Sequence, residues 1–212
     1  MDSDTFRKLG HELVDWIADY LEGIERYPVG SQVKPGDIRR SLPEHPPAID
    51  SAAEPFEAML ADLDRLVMPG ITHWQHPSFF AYFPGNTSYP AILGDLAASG
   101  LGVQGMSWVT SPACTEVETL MLDWMQELLG LPDRFRSTSE HGGGVIQGSA
   151  SEATLASILA ARWRATGGAI NTDGDTSHLV AYSTSQAHSS IEKGLRIAGI
   201  GTAHIRVVPH DD

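Results

Sequence analysis

Apolar residues near the N-terminus recur at steps of three and four positions. They are Phe6, Leu9, Leu13, Trp16, Ile17, Tyr20, Leu21 and Ile24. This period puts apolar side chains on one face, so it predicts an amphipathic helix over 6–24 that Pro28 and Gly30 end. A polar, proline-rich stretch over 31–50 predicts an extended connector, and a second helix is predicted over 54–66. These elements bury little surface on their own, so we expect them to pack on the rest of the chain or on a partner subunit.

The pattern changes at about residue 70, where short segments rich in glycine, proline and aromatic residues begin to separate longer helices. Helices are predicted over 90–101, 113–131, 149–166 and 190–198, and apolar, β-branched strands over 178–184 and 204–209. Helices that alternate with short strands predict an α/β fold with a mostly parallel sheet. We therefore divide the chain into an N-terminal helical arm, 1–69, and the first part of a larger α/β domain, 70–212.

The composition is that of an ordinary folded protein of 212 residues, with 42% hydrophobic and 19% charged residues. No apolar run approaches the roughly 20 residues needed to span a bilayer, and the N-terminus does not form a secretory signal. The single cysteine, Cys114, is typical of a reducing compartment, so we expect a cytoplasmic protein. The 14 basic against 27 acidic residues leave a net charge of −13, which disfavours nucleic acid and anionic membranes as partners.

The sharpest local motif is GGGVIQGSASEATL, over 142–155. Ser149 and Glu152 have the spacing of a capping box, which predicts a helix start at Ser149 or Ala150 after a glycine-rich turn or strand. The backbone N–H groups of Ala150 and Ser151, with the hydroxyls of Ser149 and Ser151, would then meet at the positive end of a helix dipole. This arrangement suits a phosphate group. The alternative is that Ser149 only caps its helix.

Two further segments carry candidate chemistry. QAHSS, over 186–190, puts His188 at the carboxyl end of a predicted strand, where open α/β sheets bind ligands, although a lone loop histidine is more often a bystander. The segment HWQHPSFFAYFPGNTSYP, over 73–90, is dense in aromatic residues, which suits either a pocket for a flat apolar side chain or an ordinary aromatic core cluster. No cysteine or acidic residue stands at ligand spacing from its two histidines, so we expect no metal site there.

Together these segments resemble a known family. HWQHPSFFAYFPGNTSYP, SWVTSPACTEVETLMLDW, GGGVIQGSASEATLASILAAR and AYSTSQAHSSIEK occur in the order and spacing of the group II pyridoxal-phosphate decarboxylases, especially the aromatic-L-amino-acid decarboxylases. The resemblance covers essentially the whole chain. It implies an α/β fold of the aspartate-aminotransferase type (pyridoxal-phosphate fold type I) with an N-terminal helical arm. It also implies a homodimer, pyridoxal 5′-phosphate as cofactor, and decarboxylation of an L-amino acid, most often an aromatic one, to its amine and CO2.

The resemblance also assigns roles to individual residues. It places Ala150 and Ser151, with Ser149 adjacent, on the cofactor phosphate, and it identifies His188 as the residue that stacks on the cofactor ring and touches the substrate. It assigns the substrate pocket to Trp74, Tyr82, Phe83, Pro84 and Met106. Gly85 departs from the pattern, because many animal members have a threonine there, so a preference for hydroxylated substrates does not carry over.

The family's cofactor-binding lysine and its catalytic loop are expected beyond residue 212, since neither Lys8, Lys34 nor Lys193 has the context of that lysine. We therefore expect the 212-residue chain to be inactive without its C-terminal part, whether this is continuous or a separate fragment. Two alternatives stay open at this point. One is an aromatic aldehyde synthase of the same family, against which His188 argues, because some insect synthases carry asparagine there. The other is a non-catalytic fragment that dimerises and binds a phosphate ligand.

Overall fold

A computed structural model describes residues 1–46, 55–83, 85, 87–174 and 178–210. Over these residues the helices and strands are α1 Ser3–Glu22, α2 Asp37–Ser41, α3 Phe56–Asp62, α4 Tyr89–Leu101, α5 Pro112–Leu128, α6 Ala150–Ala165, α7 Ile170–Asp173, β1 Ala181–Ser183, α8 Ser190–Ile197 and β2 Ile205–Val207. The chain divides into two compact units, Met1–Gly102 and Val103–Asp212. The predicted division into an arm, 1–69, and a domain, 70–212, refers to the intact protein and stays a prediction. No helix within the described ranges is long and apolar enough to cross a membrane.

The first helix confirms the N-terminal periodicity and begins earlier than its apolar stripe. Asp2 is the N-cap, and its carboxylate accepts a hydrogen bond from the Thr5 N–H at 2.8 Å. This satisfies one of the free N–H groups of the first turn, so the helix starts at Ser3 although Phe6 is the first apolar position. The N-cap was missed because the prediction followed apolar residues alone.

Two polar contacts hold α1 against the second helical segment, which consists of α3 and the wider turn Leu63–Val67 that follows it. Trp16 Nε1 donates to Asp64 Oδ1 at 3.0 Å, and Lys8 Nζ lies 3.5 Å from Glu57 Oε1. Contact positions advance together along both segments, so the segments run in the same direction. The stripe of α1 is therefore partly covered by the chain itself, while Phe6 remains exposed.

The connector is less extended than its composition predicts. It contains α2, which begins after Gly36 in the left-handed conformation, with φ of 92°. The Asp37 carboxylate accepts from the Lys34 N–H at 2.7 Å and so stabilises this turn. Residues 47–50 of the predicted connector lie outside the described residues, as does Glu54 at the start of the second predicted helix. That helix is confirmed over Phe56–Asp62.

His73 is the most deeply buried large side chain of the first unit, with 1% of its surface exposed. Its Nδ1 lies 3.0 Å from the Tyr20 hydroxyl, and its ring stacks on Tyr27 with 4.7 Å between centroids. The His73 N–H donates to the Val29 carbonyl at 2.9 Å. These contacts tie the loop after residue 70 to α1. Burial, which disfavours the charged ring, lowers the pKa of His73 below its ordinary value.

The second unit contains a parallel β–α–β arrangement. Strands β1 and β2 pair in parallel, with Ala181 opposite Ile205 and Ser183 opposite Val207, and α8 makes the crossover between them. A small core of Leu195, Ala198 and Ile200 lies under the crossover, and the partly buried side chains of Ile158, Leu159, Leu179, Ile191 and Ile205 pack against it. Both predicted strands are confirmed in type and are shorter than predicted.

Helix α6 packs against α8 at very close range. A Cβ atom added at Gly194 would lie 2.7 Å from Ile158 Cδ1 and 3.8 Å from Leu155 Cα. Further along the pair, Arg162 Nη1 donates to the Ala198 carbonyl at 2.5 Å. The contacting positions at Gly194 and Ala198 are offset from their α6 partners by 36 to 39 residues, so the two helices run parallel and their N-termini lie at the same end.

The helices α4 and α5 are confirmed at nearly their predicted bounds, but they cover little of their apolar surface. No residue of α4 is buried, and Leu93, Leu96 and Leu101 are all exposed. In α5, Gln126 is buried, whereas Leu120, Met121 and Trp124 are exposed. A helix that is apolar on most of its faces needs a partner surface in the folded protein.

The buried histidine predicts a pH dependence of stability. Because the pKa of His73 is lowered in the folded chain, the unfolded chain binds this proton first as the pH falls. The contribution of His73 to the free energy of unfolding is thus fully present above about pH 6.5. Below that pH it decreases, with a slope of at most about 1.4 kcal/mol per pH unit. Denaturant unfolding between pH 7.5 and 5.0 should show a smaller loss in His73→Gln. His141→Gln, at an exposed histidine, is the control, and equal slopes in all three proteins would contradict the prediction.

Candidate ligand site

The N-terminus of α6 has the predicted geometry. Ser149 is the N-cap in extended backbone conformation, and its Oγ accepts from the Glu152 N–H at 3.2 Å. This is the Ser149 half of the capping box. The Glu152 carboxylate lies against Gly148, where an added Cβ would be 2.6 Å from Oε2. The N–H groups of Ala150 and Ser151 belong to the first helical turn, which offers them no carbonyl partner, and both residues are exposed. They are available to a ligand.

The glycines before this helix mainly serve the packing of their own loop. A Cβ at Gly142 would lie 2.0 Å from the Arg136 carbonyl oxygen and 2.1 Å from Ser139 Oγ. Gly143 has a φ of 108° and donates its N–H to the Phe135 carbonyl at 3.0 Å. In the part of the chain described, residues 142–148 form no strand. The packing of the loop itself therefore accounts for glycine at 142 and 143.

Hydrogen bonds fasten the same loop to the C-terminal half of α5. Asp123 accepts from the Ser137 hydroxyl at 2.6 Å and from the Ser137 N–H at 2.8 Å. These two bonds lower the pKa of the Asp123 carboxyl, and the bond from the hydroxyl has the larger effect. Arg136 donates to Glu127 at 2.8 Å beside it. The segment that leads to the helix N-terminus is thus anchored at its start, a feature that sequence spacing did not reveal.

His188 lies where the sequence predicts, in the loop after β1. This loop lines a cavity of about 210 Å³, to which the carboxyl ends of the two strands contribute Ser183 and Val207 and the start of β2 contributes Ile205. The side chain is exposed. Its Nδ1 accepts from the N–H of Ser190 at 3.2 Å and lies 3.0 Å from the Ser190 hydroxyl. His188 therefore stands at the strand ends where α/β folds bind ligands, with one ring nitrogen already engaged.

The packing of α6 on α8 relates these two features. Because the helices run parallel with an offset of 36 to 39 residues, Ser190 at the start of α8 corresponds to positions 151–154 in the first turn of α6. Ser149, Ala150 and Ser151 thus lie at the same end of the helix pair as His188. This end presents free N–H donors, two serine hydroxyls and an imidazole. Such a donor set suits an anion next to a flat ring.

The aromatic segment of the first unit divides into a buried and an exposed part. Phe79 is buried beside Trp74, with 4.7 Å between ring centroids, and Tyr82 stacks on Trp74 at 5.7 Å. Tyr82 is 88% exposed and Phe83 is 96% exposed. The segment is therefore neither a closed core cluster nor a closed pocket. Of the other residues that the resemblance assigns to the pocket, Pro84 lies outside the described residues, and Met106, in the second unit, is 81% exposed.

The backbone of this segment is held in an unusual conformation. Tyr82 has a φ of 57°, a left-handed value that costs a residue with a Cβ about 1–2 kcal/mol. The Gln75 side chain bridges the loop, since its Nε2 donates to the Gly85 carbonyl at 3.2 Å and its Oε1 accepts from the Thr87 N–H at 3.4 Å. The two histidines of HWQH have separate partners, because His76 Nδ1 accepts from the Ser78 N–H at 3.0 Å while His73 meets Tyr20. No pattern in the sequence indicates the Gln75 bridge.

A β–α–β crossover with a donor-rich helix N-terminus and a histidine loop at the strand ends defines an α/β ligand-binding domain. Residues 35–212 match the pyridoxal-dependent decarboxylase conserved domain, and the chain belongs to this family. It is 46% identical to the aromatic-L-amino-acid decarboxylase of Rattus norvegicus, over 100% of the chain and 44% of the relative. It is also 46% identical to the phenylacetaldehyde synthase of Arabidopsis thaliana, over 100% of the chain and 42% of the relative.

A solved structure shows the same fold. The crystal structure of the Oryza sativa protein TDC with PLP and tryptamine is 39% identical and matches with a TM-score of 0.87, over 99% of this chain and 44% of that one. The fold is therefore pyridoxal-phosphate fold type I, as the resemblance implied. The chain spans less than half the length of the relatives it matches.

Two neighbouring glycines provide a matched test of the loop. Gly142→Ala should lower the free energy of unfolding by about 2 kcal/mol, because the new methyl group would overlap the Arg136 carbonyl oxygen. Gly144→Ala should change it little, since its Cβ would make an ordinary contact of 3.6 Å with Leu122. Thermal or denaturant unfolding of the two variants measures the difference. Equal losses would show that the loop does not pack in this way.

Proposed function

We propose that the intact protein uses pyridoxal 5′-phosphate to decarboxylate an L-amino acid of the aromatic class and releases the amine and CO2. The observation that carries this proposal is the family match over 35–212, together with the 46% identity to an aromatic-L-amino-acid decarboxylase along the entire chain. The protein is then a carboxy-lyase of amino-acid metabolism. The 212-residue chain supplies part of the site and depends on a C-terminal part for the lysine that binds the cofactor.

The donor set at the start of α6 fits the phosphate of this cofactor. The Ala150 and Ser151 N–H groups are free, and the Ser151 hydroxyl stands beside them on an exposed turn. Oriented N–H groups and a helix dipole stabilise a dianion without a neighbouring cation. Ser149 already uses its hydroxyl as an acceptor for Glu152, so it contributes chiefly by fixing the start of the helix. We assign the phosphate to Ser149, Ala150 and Ser151.

His188 is our candidate for the catalytic histidine of this chain. When bound, the cofactor supplies a ring that accepts the electrons left behind as CO2 departs. His188 would lie over that ring, orient the substrate beside it and hold a proton at Nε2 for delivery to the substrate carbon. The substrate side chain is assigned to Trp74, Tyr82, Phe83, Pro84 and Met106 on the family resemblance. The exposed stacked pair of Trp74 and Tyr82 offers the flat apolar surface that an aromatic side chain needs.

A homodimer belongs to the same proposal. The apolar faces of α4 and α5 and the exposed Phe6 on α1 need cover in the folded protein. A second copy, in addition to the C-terminal part, would supply it in the way that obligate dimers bury apolar surface. In this arrangement residues 1–69 act as the dimerisation arm and 70–212 as the first part of the cofactor-binding domain. A cytoplasmic location is proposed on the single cysteine.

An aldehyde synthase is the second candidate, because a phenylacetaldehyde synthase matches as well as the decarboxylase, at 46% identity. The products separate the two. We expect the full-length protein, supplied with phenylalanine, tyrosine, tryptophan and dihydroxyphenylalanine, to release CO2 and the amine in equal amounts. An aldehyde in place of the amine would favour the synthase, and absence of both products would contradict the proposed function.

Replacement of His188 tests its catalytic assignment. His188→Ala should reduce kcat at least about 100-fold, because a positioned acid–base group contributes that much or more. Cofactor content, read from the absorbance of the bound cofactor, should change little, since the phosphate donors remain. His210→Ala, at an exposed histidine that lies 3.1 Å from the Gln186 side chain, is the control. A His188→Ala protein with normal kcat would remove the residue from the mechanism.

Two serines on one helix test the phosphate assignment. Ser151→Glu places a carboxylate where the phosphate would bind, so repulsion and crowding should abolish cofactor retention. Ser157→Glu makes the same change on an exposed position of α6 two turns from its start and should retain the cofactor. Dialysis followed by absorbance of the bound cofactor gives the occupancy of each protein. Full occupancy in Ser151→Glu would overturn the assignment.

A further inference from the structure

His188 has an unusual partner for its inner ring nitrogen. Nδ1 accepts from the backbone N–H of Ser190 at 3.2 Å, and the hydroxyl of the same residue lies 3.0 Å away. The two contacts come from one residue, two positions along the chain. Ser190 is buried, with 8% of its surface exposed, while His188 and Ser189 before it are exposed. The imidazole therefore rests on a buried polar residue and turns its other edge outward.

These contacts fix where the ring carries its hydrogen. A backbone N–H can only donate, so Nδ1 must present its lone pair to Ser190 and carries no hydrogen. The Ser190 hydroxyl must then donate to the same lone pair, although a hydroxyl is free to act either way. A neutral imidazole carries a hydrogen on only one of its two ring nitrogens, so this hydrogen is on Nε2. Within the described part of the chain, Nε2 makes no hydrogen bond of its own.

The position of Ser190 in α8 explains why the arrangement is stable. Ser190 is the first residue of the helix, and Ser189 before it makes no side-chain cap. The free N–H of the first turn is satisfied instead by the His188 ring, which acts as the cap. The carbonyl of His188 also accepts from the Ile191 N–H at 3.1 Å, so backbone and ring both join the start of the helix. Rotation of the ring would break a cap and leave a buried hydroxyl without a partner.

We propose that Ser190 is a positioning residue, which sets the tautomer of His188 so that Nε2–H is offered to the ligand as a donor. This inference rests on the proposed function for the identity of the ligand, but the tautomer itself does not. A ring held in this way always presents a hydrogen-bond donor at Nε2 and never a lone pair. It therefore selects for an acceptor atom, such as a carboxylate oxygen, on the group that lies against it.

The first measurement concerns the ring and does not depend on activity. In the full-length protein with ¹⁵N-labelled histidine rings, His188 should show one nitrogen without hydrogen, Nδ1, and one with hydrogen, Nε2. The chain has nine histidines, so the His188→Gln spectrum identifies the signals. Ser190→Ala should move both nitrogens part of the way toward averaged values, because the hydroxyl donor is lost and only the backbone N–H of residue 190 remains to hold Nδ1. Ser190→Thr keeps the hydroxyl and should restore the wild-type pattern.

The second measurement separates positioning from binding. Ser190→Ala should lower kcat about tenfold and leave KM and cofactor absorbance nearly unchanged, with recovery in Ser190→Thr. Ser189→Ala, an exposed serine one position away, is the control and should match the wild type in both measurements. An averaged ring in the wild type, or an unchanged ring in Ser190→Ala, would overturn the proposal. An inactive wild type with the expected ring signals would instead count against the proposed function and leave the tautomer assignment standing.

Discussion

The close approach of α6 to α8 is the contact on which the candidate site depends. It occurs at Gly194, where even one added carbon atom would meet Ile158. Because the two helices can lie this near each other, Arg162 reaches the carbonyl of Ala198, the C-cap of α8, and fixes the offset between the helices. That offset brings the N-terminus of α6 and the loop of His188 to the same end. The relative position of the anion donors and the imidazole thus depends on helix packing that lies some distance from both.

In each of the two units, a histidine joins two segments of the chain by hydrogen bonds; one of these histidines is buried and the other is exposed. In the first unit, the buried His73 joins α1 to the aromatic segment through Tyr20 and Tyr27. In the second unit, the exposed His188 joins a loop to a helix through Ser190. In each case Nδ1 meets a hydroxyl group, which holds the ring in one orientation. A histidine in these positions acts first as a structural connector, and His188 has its outer nitrogen left for chemistry.

Much of the fold could be predicted from the sequence, because most helices and strands carry their own signals. The steps of three and four before Ile24, the serine cap before α6, and the β-branched runs around Val180 and Val207 all indicated the right element type. The failures share a physical cause. Asp2, α2 and the Gln75 bridge depend on polar contacts between side chain and backbone, which leave no periodic trace in the sequence.

The candidate site divides along the same line. The start of α6 and the loop of His188 could be predicted because a helix cap and a strand end are local features. The partner of Nδ1 could not, since only the fold shows that Ser190 is buried beneath the ring while Ser189 is exposed. The part that Gly142 and Gly143 play in the loop could not be predicted for a similar reason, since it depends on the Arg136 and Phe135 carbonyl groups.

Gly194 also determines which amino-acid substitutions this helix can tolerate. Glu192 and Lys193 are exposed on the same helix and can be exchanged for many residue types at little cost. Position 194 tolerates much less, because an added Cβ would already require Ile158 to move and a larger side chain would press on the α6 backbone at Leu155. The adjacent positions Lys193 and Gly194 thus differ strongly in the substitutions that they tolerate. Random variation in this helix would leave its outer face diverse, while the residue at the helix contact stays small.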